Sequence, residues 1–150
     1  MKKISSRDGL VELDIPDDWL EDRSQPDMDM FFVPGDKSRT FRISMMELNP
    51  PADLKGDAAR EALRPTLEDS GSDIEVLGEG RYLCTYDKDT WDRLTRLSMR
   101  FWFVSWLRAD GKIALAHFNY TRLRRQKSDT ETSGFVEMLN QSIRRASYNT

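Results

Sequence analysis

Alternation of apolar and polar residues dominates this chain and predicts a protein built mainly of β-strands. In the first alternating segment Val11, Leu13 and Ile15 share one face, which is the period-two pattern of a half-buried strand, and Pro16 ends it. Strands are predicted over seven segments: Leu10–Ile15, Met28–Val33, Thr40–Leu48, Ile74–Leu77, Arg81–Tyr86, Leu97–Leu107 and Ile113–Thr121. The Asp110-Gly111 pair between the last two segments is typical of a hairpin turn.

Two other segments show the longer period of amphipathic helices. The first runs from about Asp53 to Ser70, where Gly71 is a plausible stop, and Pro65 inside it predicts a kink or a break because proline removes a backbone donor. The second runs from about Thr130 to Ser147 and has an apolar inner face: Phe135, Leu139, Ile143 and Ala146. Strands in meander-like runs with two helices favour an α+β fold, in which helices pack on an antiparallel β-sheet.

Composition and charge suit a single α+β domain spanning residues 1–150. Hydrophobic residues make up 38% and charged residues 33%, and the net charge of −3 argues against a general nucleic-acid binder. Residues 1–80 hold 10 Lys/Arg and 19 Asp/Glu, whereas residues 81–150 hold 13 and 7. Attraction between an acidic and a basic half favours one compact domain, and two functional poles are the alternative.

The sequence also predicts a cytoplasmic protein without membrane insertion. The most apolar segment, Phe101–Leu107, is far shorter than the ~20 residues of a membrane helix. The lysines that follow Met1 are not followed by the apolar region of a signal peptide. Cys84 is the single cysteine, so no disulfide can form within one chain.

The segment Leu97–Arg108 has two apolar faces. One face is predicted to be core: Leu97, Met99, Phe101, Phe103 and Leu107. Because Trp and Arg dominate interface hot spots, the other face is interpreted as a partner-binding patch, extended by the neighbouring strand: Arg100, Trp102, Trp106, Arg108 and Tyr120. The alternative is that a helix or long loops cover this second face, with arginine stems packing over the indoles.

Groups that could perform catalysis are few. His117 lies mid-strand and is predicted to be a partly buried, hydrogen-bonded side chain, with a general base as the alternative. Cys84 is predicted to be a buried small hydrophobe, and one His with one Cys cannot form a Cys/His zinc site. Asp87–Asp92 lacks the Gly and Glu of a calcium loop and is predicted to be an acidic hairpin tip. We therefore predict no catalytic residue, metal site or cofactor.

One basic run follows the last predicted strand. Its arginines are Arg122, Arg124 and Arg125. They are interpreted either as a solvated loop before the last helix or as an anionic contact, with the acidic surface of a protein or with a phosphate.

The element order resembles the Mog1/PsbP-like fold group, an antiparallel sheet sandwiched by helices. The resemblance rests on the segment Leu13–Trp19, on the late strand pair, and on the end of the last helix at Leu139–Ile143, and it covers most of the chain. It implies a non-enzymatic binding protein, since members include a Ran-binding nuclear-import factor, photosystem accessory subunits, and bacterial chaperones or immunity-like proteins of secretion systems. It carries over no functional residue, because the group has no shared catalytic set.

These observations predict a non-catalytic protein-binding module. We expect a bacterial adaptor, chaperone or immunity-type protein, accessory to a secretion system, that binds another protein through one face of its sheet. A homodimer is a second option, and no nucleic-acid partner is expected. The alternative is a small-molecule-binding protein or minor hydrolase with a pocket between sheet and helices, in which His117 acts with a nearby carboxylate.

Overall fold

A computed structural model describes residues 1–52, 57–78 and 80–150 and has two antiparallel sheets. The smaller sheet has the order β1-β2-β10 and consists of β1 (Lys2–Ser5), β2 (Val11–Ile15) and β10 (Ser147–Tyr148). The larger sheet has the order β3-β4-β5-β9-β8-β7-β6 and consists of β3 (Leu20–Asp22), β4 (Asp29–Val33), β5 (Asp36–Leu48), β6 (Ile74–Gly78), β7 (Arg81–Asp92), β8 (Thr95–Leu107) and β9 (Ile113–Leu123). The helices are α1 (Ala58–Glu61), α2 (Arg64–Ser70) and α3 (Thr130–Arg145). The predicted α+β class, an antiparallel sheet with helices packed on it, is confirmed.

Short hairpins build most of the larger sheet. Pro34 and Gly35 alone join β4 to β5, and Gly35 has a φ of +76°, a conformation that glycine adopts without steric cost. Strands β6 to β9 form a meander, and β5 then pairs with β9 over nine residue pairs from Thr40 to Leu48. That long-range pairing joins the β3–β5 half of the sheet to the β6–β9 half, and it places β9 at the centre.

One side of the larger sheet is covered by α3 and by the small sheet. We call it the covered face, and define it by the side chains that alternate onto it from the three central strands: Phe41, Ile43, Trp102, Val104, Trp106, Ala116, Phe118 and Tyr120. Val136, Leu139 and Ile143 of α3 belong to the same buried cluster, as do residues of β2. The predicted inner face of the last helix is confirmed at Leu139, Ile143 and Ala146, while Phe135 is half-buried.

On the opposite side of the sheet, the described residues provide a cover at one end, where α1 and α2 lie. Ser105 donates a hydrogen bond to the carbonyl oxygen of Ala59 at 2.6 Å, and Leu63 between the two helices is fully buried. The single helix predicted from Asp53 is divided by a break at Ala62 and Leu63, and Pro65 lies in the first turn of α2, where its missing N–H costs nothing. The predicted start at Asp53 lies outside the described residues.

Several boundaries differ from the predicted ones. Strand β7 continues through Asp92, so the predicted acidic tip at Asp87–Asp92 is instead a paired strand, and the turn falls at Arg93 and Leu94. Strands β1, β3 and β10 were not predicted, because they are too short to show an alternation of apolar and polar residues. Of the helices in the part of the chain that the structure describes, none combines the length and apolarity required to cross a bilayer.

Candidate partner-binding surface

The two tryptophans predicted to contact a partner lie in the core. Trp102 is 0% and Trp106 is 1% exposed. The Trp102 Nε1–H donates to Asn140 Oδ1 of α3 at 3.1 Å, and the Trp106 Nε1–H donates to the carbonyl oxygen of Asn149 at 2.9 Å. Of the two interpretations of this face, the covered one is observed: α3 and the C-terminal residues lie over it and supply the partners that buried indoles require.

Tyr120 is also buried, whereas the two arginines predicted beside it lie at the margins. Tyr120 stacks on Trp19 with ring centroids 6.2 Å apart, and burial raises the pKa of its hydroxyl. Arg100 binds Asp87 through two hydrogen bonds of 2.5 and 2.9 Å. Burial acts to raise the pKa of Asp87, but the hydrogen bonding and charge of Arg100, together with the charges of Arg122 and Lys127, outweigh it, and the net shift is downward. Arg108 pairs with Glu47. Contact of Arg100 and Arg108 with a partner stays a prediction.

The basic run does not form one solvated cluster. Arg122 is 3% exposed, lies with its guanidinium 6.0 Å from the Tyr120 ring, and has no hydrogen-bond partner for Nε or Nη1 among the described residues. Arg124 donates from Nε to Asp89 Oδ2 at 2.9 Å, and Arg125 is exposed. The covered position of Arg122 separates it from the other two, and an anionic contact by these residues stays a prediction.

The face predicted to be core is the one that the structure leaves half-exposed. Phe101, Phe103, Met99 and Leu97 are only partly buried, and Leu107 is 50% exposed, so their assignment to the core is wrong. All five project from β8 on the side opposite to Trp102. Leu97, Met99, Phe101 and Phe103 lie beyond the end of the sheet that α1 covers at Ser105. We call this region the open face. Its half-exposed side chains can contact another molecule without unfolding of the chain.

An aromatic row crosses the open face at its centre. It consists of Tyr86 on β7, Phe101 and Phe103 on β8, and His117 on β9. Tyr86 stacks on Phe101 with centroids 4.9 Å apart, and Phe103 stacks on His117 at 4.3 Å with the ring planes 8° apart. Each ring packs against its neighbours, so the partly exposed rings of the row hold one another in place. Ordered side chains lose little entropy on binding.

Arg42 borders the aromatic row on the same side of the sheet. It lies opposite Asn119, which is in turn opposite Phe101. Its Nη1 donates to Asn119 Oδ1 at 3.3 Å and to Thr121 Oγ1 at 3.0 Å. Burial lowers the pKa of Arg42, and no carboxylate of the described residues forms an ion pair with it. A half-buried guanidinium bonded only to neutral groups can still accept a carboxylate from outside.

His117 is half-buried, as predicted, but its environment is apolar. Burial lowers its pKa, and Nε2 is buried without a hydrogen-bond partner among the described residues, so the predicted hydrogen bond is absent at that atom. His117 lines a half-open hollow of about 360 Å³ together with Asp27, Ser44 and Phe103. No hydrogen bond joins Asp27, Ser44 and His117 there. The hollow lies on the open face, away from the interface between sheet and α3 where the alternative placed a pocket.

Candidate metal ligands and the single cysteine complete the set of reactive side chains. Within residues 1–52, 57–78 and 80–150, no three His, Cys, Asp or Glu side chains are grouped so as to hold a metal ion. Cys84 is a free, fully buried thiol whose pKa is raised by that burial, in line with its predicted role as a small hydrophobe.

The open-face residues could have been found from the alternation of β9. Ala114, Ala116, Phe118 and Tyr120 form one of its faces, and Leu115, His117, Asn119 and Thr121 form the other. The second face carries three polar residues and is the natural choice for the solvent side. Pairing it with the correct residues of β8 then requires the register of the hairpin.

Comparison with known proteins identifies the fold. No family model and no curated protein matches the sequence. A crystal structure from Bacteroides thetaiotaomicron VPI-5482 is similar with a TM-score of 0.69 at 15% identity, over 99% of this chain and 48% of that chain, so this chain spans about half the length of that neighbour. The Ran-binding protein Mog1p of Saccharomyces cerevisiae is similar with a TM-score of 0.51 at 10% identity, over 98% of this chain and 94% of Mog1p. The chain has a Mog1/PsbP-like fold, which confirms the resemblance.

Proposed function

We propose that this chain is a non-catalytic protein-binding module whose contact surface is the open face. The observation that carries the proposal is the aromatic row beside Arg42: stacked, half-exposed rings next to an arginine without a carboxylate partner among the described residues. Aromatic residues and arginine are the side chains that contribute most at protein interfaces. The fold is shared with a protein whose name states that it binds Ran, which supports the same class of function.

The partner's contact segment is inferred to combine apolar side chains with a carboxylate. The apolar groups would cover Phe101 and Phe103, and the carboxylate would pair with Arg42. When one member of a charge pair buried at an interface is removed, the other charge stays buried without a partner, and binding is weakened strongly. Binding should therefore depend on Arg42 and on the aromatic row together.

The finer role follows from the same proposal. We place the module in the bacterial cytoplasm as an adaptor, chaperone or immunity-type protein accessory to a secretion system. The support is that a structural neighbour comes from a bacterium and is about twice as long, so the fold also occurs as part of a larger bacterial chain. No nucleic-acid partner is proposed, because the net charge is −3.

The test compares matched arginine substitutions. Arg42→Gln removes the charge from the open face, and Arg145→Gln removes the same charge from an exposed position near the end of α3. The wild-type chain, these two variants and Phe101→Ser are used as bait in native lysate, and a captured protein is then titrated against each. We expect Arg42→Gln and Phe101→Ser to weaken binding at least tenfold while Arg145→Gln leaves it unchanged. Equal binding by all four chains contradicts the proposal.

A homodimer through the open face is the competing occupant. Sedimentation of the purified chain separates the two cases, because self-association through this face would depend on Phe101 and on protein concentration without any added partner. A dimer lost in Phe101→Ser would assign the face to a second copy of the chain.

Small-molecule binding or hydrolysis is the second candidate, and the hollow that Asp27, Ser44 and His117 share favours it. A nucleophile and its base are normally within hydrogen-bond reach, although this contact is often looser before substrate binds. Ester turnover by the purified chain that disappears in both His117→Ala and Ser44→Ala would support this candidate over the binding module.

A further inference from the structure

The hairpin between β7 and β8 extends beyond the rest of the sheet. Pairing of β8 with β9 ends at Leu97 and Leu123, whereas pairing of β7 with β8 continues to Asp92 and Thr95. The residues from 91 to 96 therefore form a two-stranded projection without β9 beside it. We call these six residues the tip.

The tip carries apolar side chains in water. Leu94 is 95% and Trp91 is 64% exposed. The other three tryptophans are at most 2% exposed: Trp19, Trp102 and Trp106. Trp91 is therefore the one tryptophan with an exposed side chain. Single exposed apolar residues are ordinary, but two large ones at the end of a free hairpin mark a site of contact.

The turn is also not the one that hairpin stability favours. Arg93 has a φ of +56° and is the one non-glycine residue with a positive φ among the described residues. Two-residue hairpin turns normally place Gly, Asn or Asp at such a position, because a side chain with a Cβ pays a steric cost there. A strained arginine next to a solvent-exposed leucine indicates that the tip serves a contact.

Cations surround the apolar end. Arg96, Arg124 and Arg125 line an open groove of about 720 Å³ beside the tip, together with Leu94 and Leu123. Two carboxylates lie close by. Asp89 pairs with Arg124 at 2.9 Å and with Arg96 at 3.7 Å, and Asp92 is exposed at the tip itself. With Arg93 in the turn, the arginines outnumber the carboxylates by four to two.

We propose that the tip is a peripheral contact for membranes that contain anionic lipids. Leu94 and Trp91 would enter the interfacial region, and the arginines around them would bind headgroup phosphates. The excess of arginines over carboxylates around two exposed apolar side chains favours an anionic lipid surface, because apolar groups can enter the interface while the long arginine side chains reach the phosphates. Only side chains reach into the interface, so no segment inserts.

Binding is tested with the full chain and two kinds of vesicle. Neutral phosphatidylcholine vesicles are compared with vesicles in which a third of the lipid is anionic phosphatidylglycerol, in cosedimentation and by tryptophan emission. Because the other tryptophans are buried, a blue shift on adding vesicles reports on Trp91. We expect cosedimentation and a blue shift with the anionic vesicles only, and release when salt is raised from about 0.1 M to 1 M, which shortens the Debye length from about 10 to 3 Å.

Matched substitutions locate the contact. Leu94→Asp should reduce partitioning at least tenfold, and Arg124→Gln or Arg125→Gln about fivefold each, following the usual effect of one basic residue near an anionic surface. Val76→Asp places the same charge at another exposed apolar position, 61% exposed on the edge strand β6, and should leave partitioning unchanged. Far-ultraviolet circular dichroism checks that each variant is folded.

Three results would overturn the proposal: no binding to the anionic vesicles, equal binding to both kinds of vesicle, or binding that Leu94→Asp does not weaken. Loss of a protein partner in Leu94→Asp without any vesicle binding would assign the tip to a protein interface instead. The open-face variants Arg42→Gln and Phe101→Ser should keep vesicle binding, so failure of this proposal is distinguishable from failure of the protein-binding function.

Discussion

Strand β8 contributes to both faces of the sheet, and the two faces differ in what completes them. On the covered face Trp102 and Trp106 are fully buried, and each indole N–H has a partner supplied by α3 or by the C-terminal residues. On the open face Phe101 and Phe103 are half-buried, and they complete their packing with Tyr86 and His117. Large aromatic residues therefore hold the fold together on one side of the sheet and remain partly exposed on the other.

Removing a covered-face indole should have the largest effect on stability. Trp102→Ala leaves a cavity in the core and an unpaired Asn140, so we expect the free energy of unfolding to fall by about 3–5 kcal/mol. Trp91→Ala removes the same side chain from a position that is 64% exposed and should change it by no more than about 0.5 kcal/mol. Urea denaturation measures both. Similar losses in the two variants would mean that the covered face is not the core.

An open-face ring should cost clearly less. Phe103→Ala removes a half-buried side chain whose loss water can fill, so we expect a reduction of about 1–2 kcal/mol in the same assay. The variant should remain folded at room temperature, which permits binding measurements on it. A loss as large as that of Trp102→Ala would show that both faces are core, and the proposed contact surface would be lost with it.

The interpretation of β8 from its sequence placed Tyr120 on the same face as Trp102, as the structure does, and its error lay in which of the two faces is covered. The register of the hairpin between β8 and β9 decides which residues share each face. A two-residue turn at Asp110-Gly111 would place Ala109 opposite Lys112 and therefore Trp102 opposite Asn119, on the polar side of β9. The structure has a three-residue loop, in which the Gly111 N–H donates to the carbonyl of Arg108 at 3.0 Å and Gly111 has a φ of +84°. Trp102 then lies opposite Phe118. A slip of one residue exchanges every side chain between the faces.

Local patterns were sufficient for the fold class and for the main elements, because alternation and helical period depend on neighbours in sequence. Strand β2 and helix α3 were predicted close to their observed bounds. The position of α3 over Trp102 depends on contacts between residues far apart in sequence, and Arg42 meets the aromatic row only through the pairing of β5 with β9. No local pattern contains that information, so the candidate surface could not be assembled from the sequence alone.

Acidification should lower the free energy of unfolding through His117 on the open face. We expect the loss to be smaller than that caused by Phe103→Ala. Burial lowers the pKa of His117 below the value of about 6.5 expected in the unfolded chain. Between these two pKa values the unfolded chain binds more protons, so stability is full above pH 6.5 and falls as the pH drops toward the folded pKa. Denaturation at pH 7.5, 6.5 and 5.5 should show this decline.

The control for the pH effect is His117→Gln. His117 is the single histidine, so this variant should flatten the stability profile between pH 7.5 and 5.5. A decline of equal size in His117→Gln would assign the pH dependence to other groups and would mean that folding does not change the pKa of His117.

The smallest expected effect lies where the covered face ends. Arg100 alternates onto the same side as Trp102, yet its side chain is 28% exposed and that of Asp87 is 38% exposed. Solvent screens such a pair, so a double-mutant cycle with Arg100→Gln and Asp87→Asn should give a coupling of about 0.5–1 kcal/mol that declines with added salt. A coupling above about 2 kcal/mol would mean that the cover extends over Arg100.

Because Arg100→Gln should leave the fold intact, it also tests the prediction that Arg100 contacts a partner. Loss of partner binding in this variant would show that the contact surface reaches around the edge of the sheet, and unchanged binding would confine it to the open face.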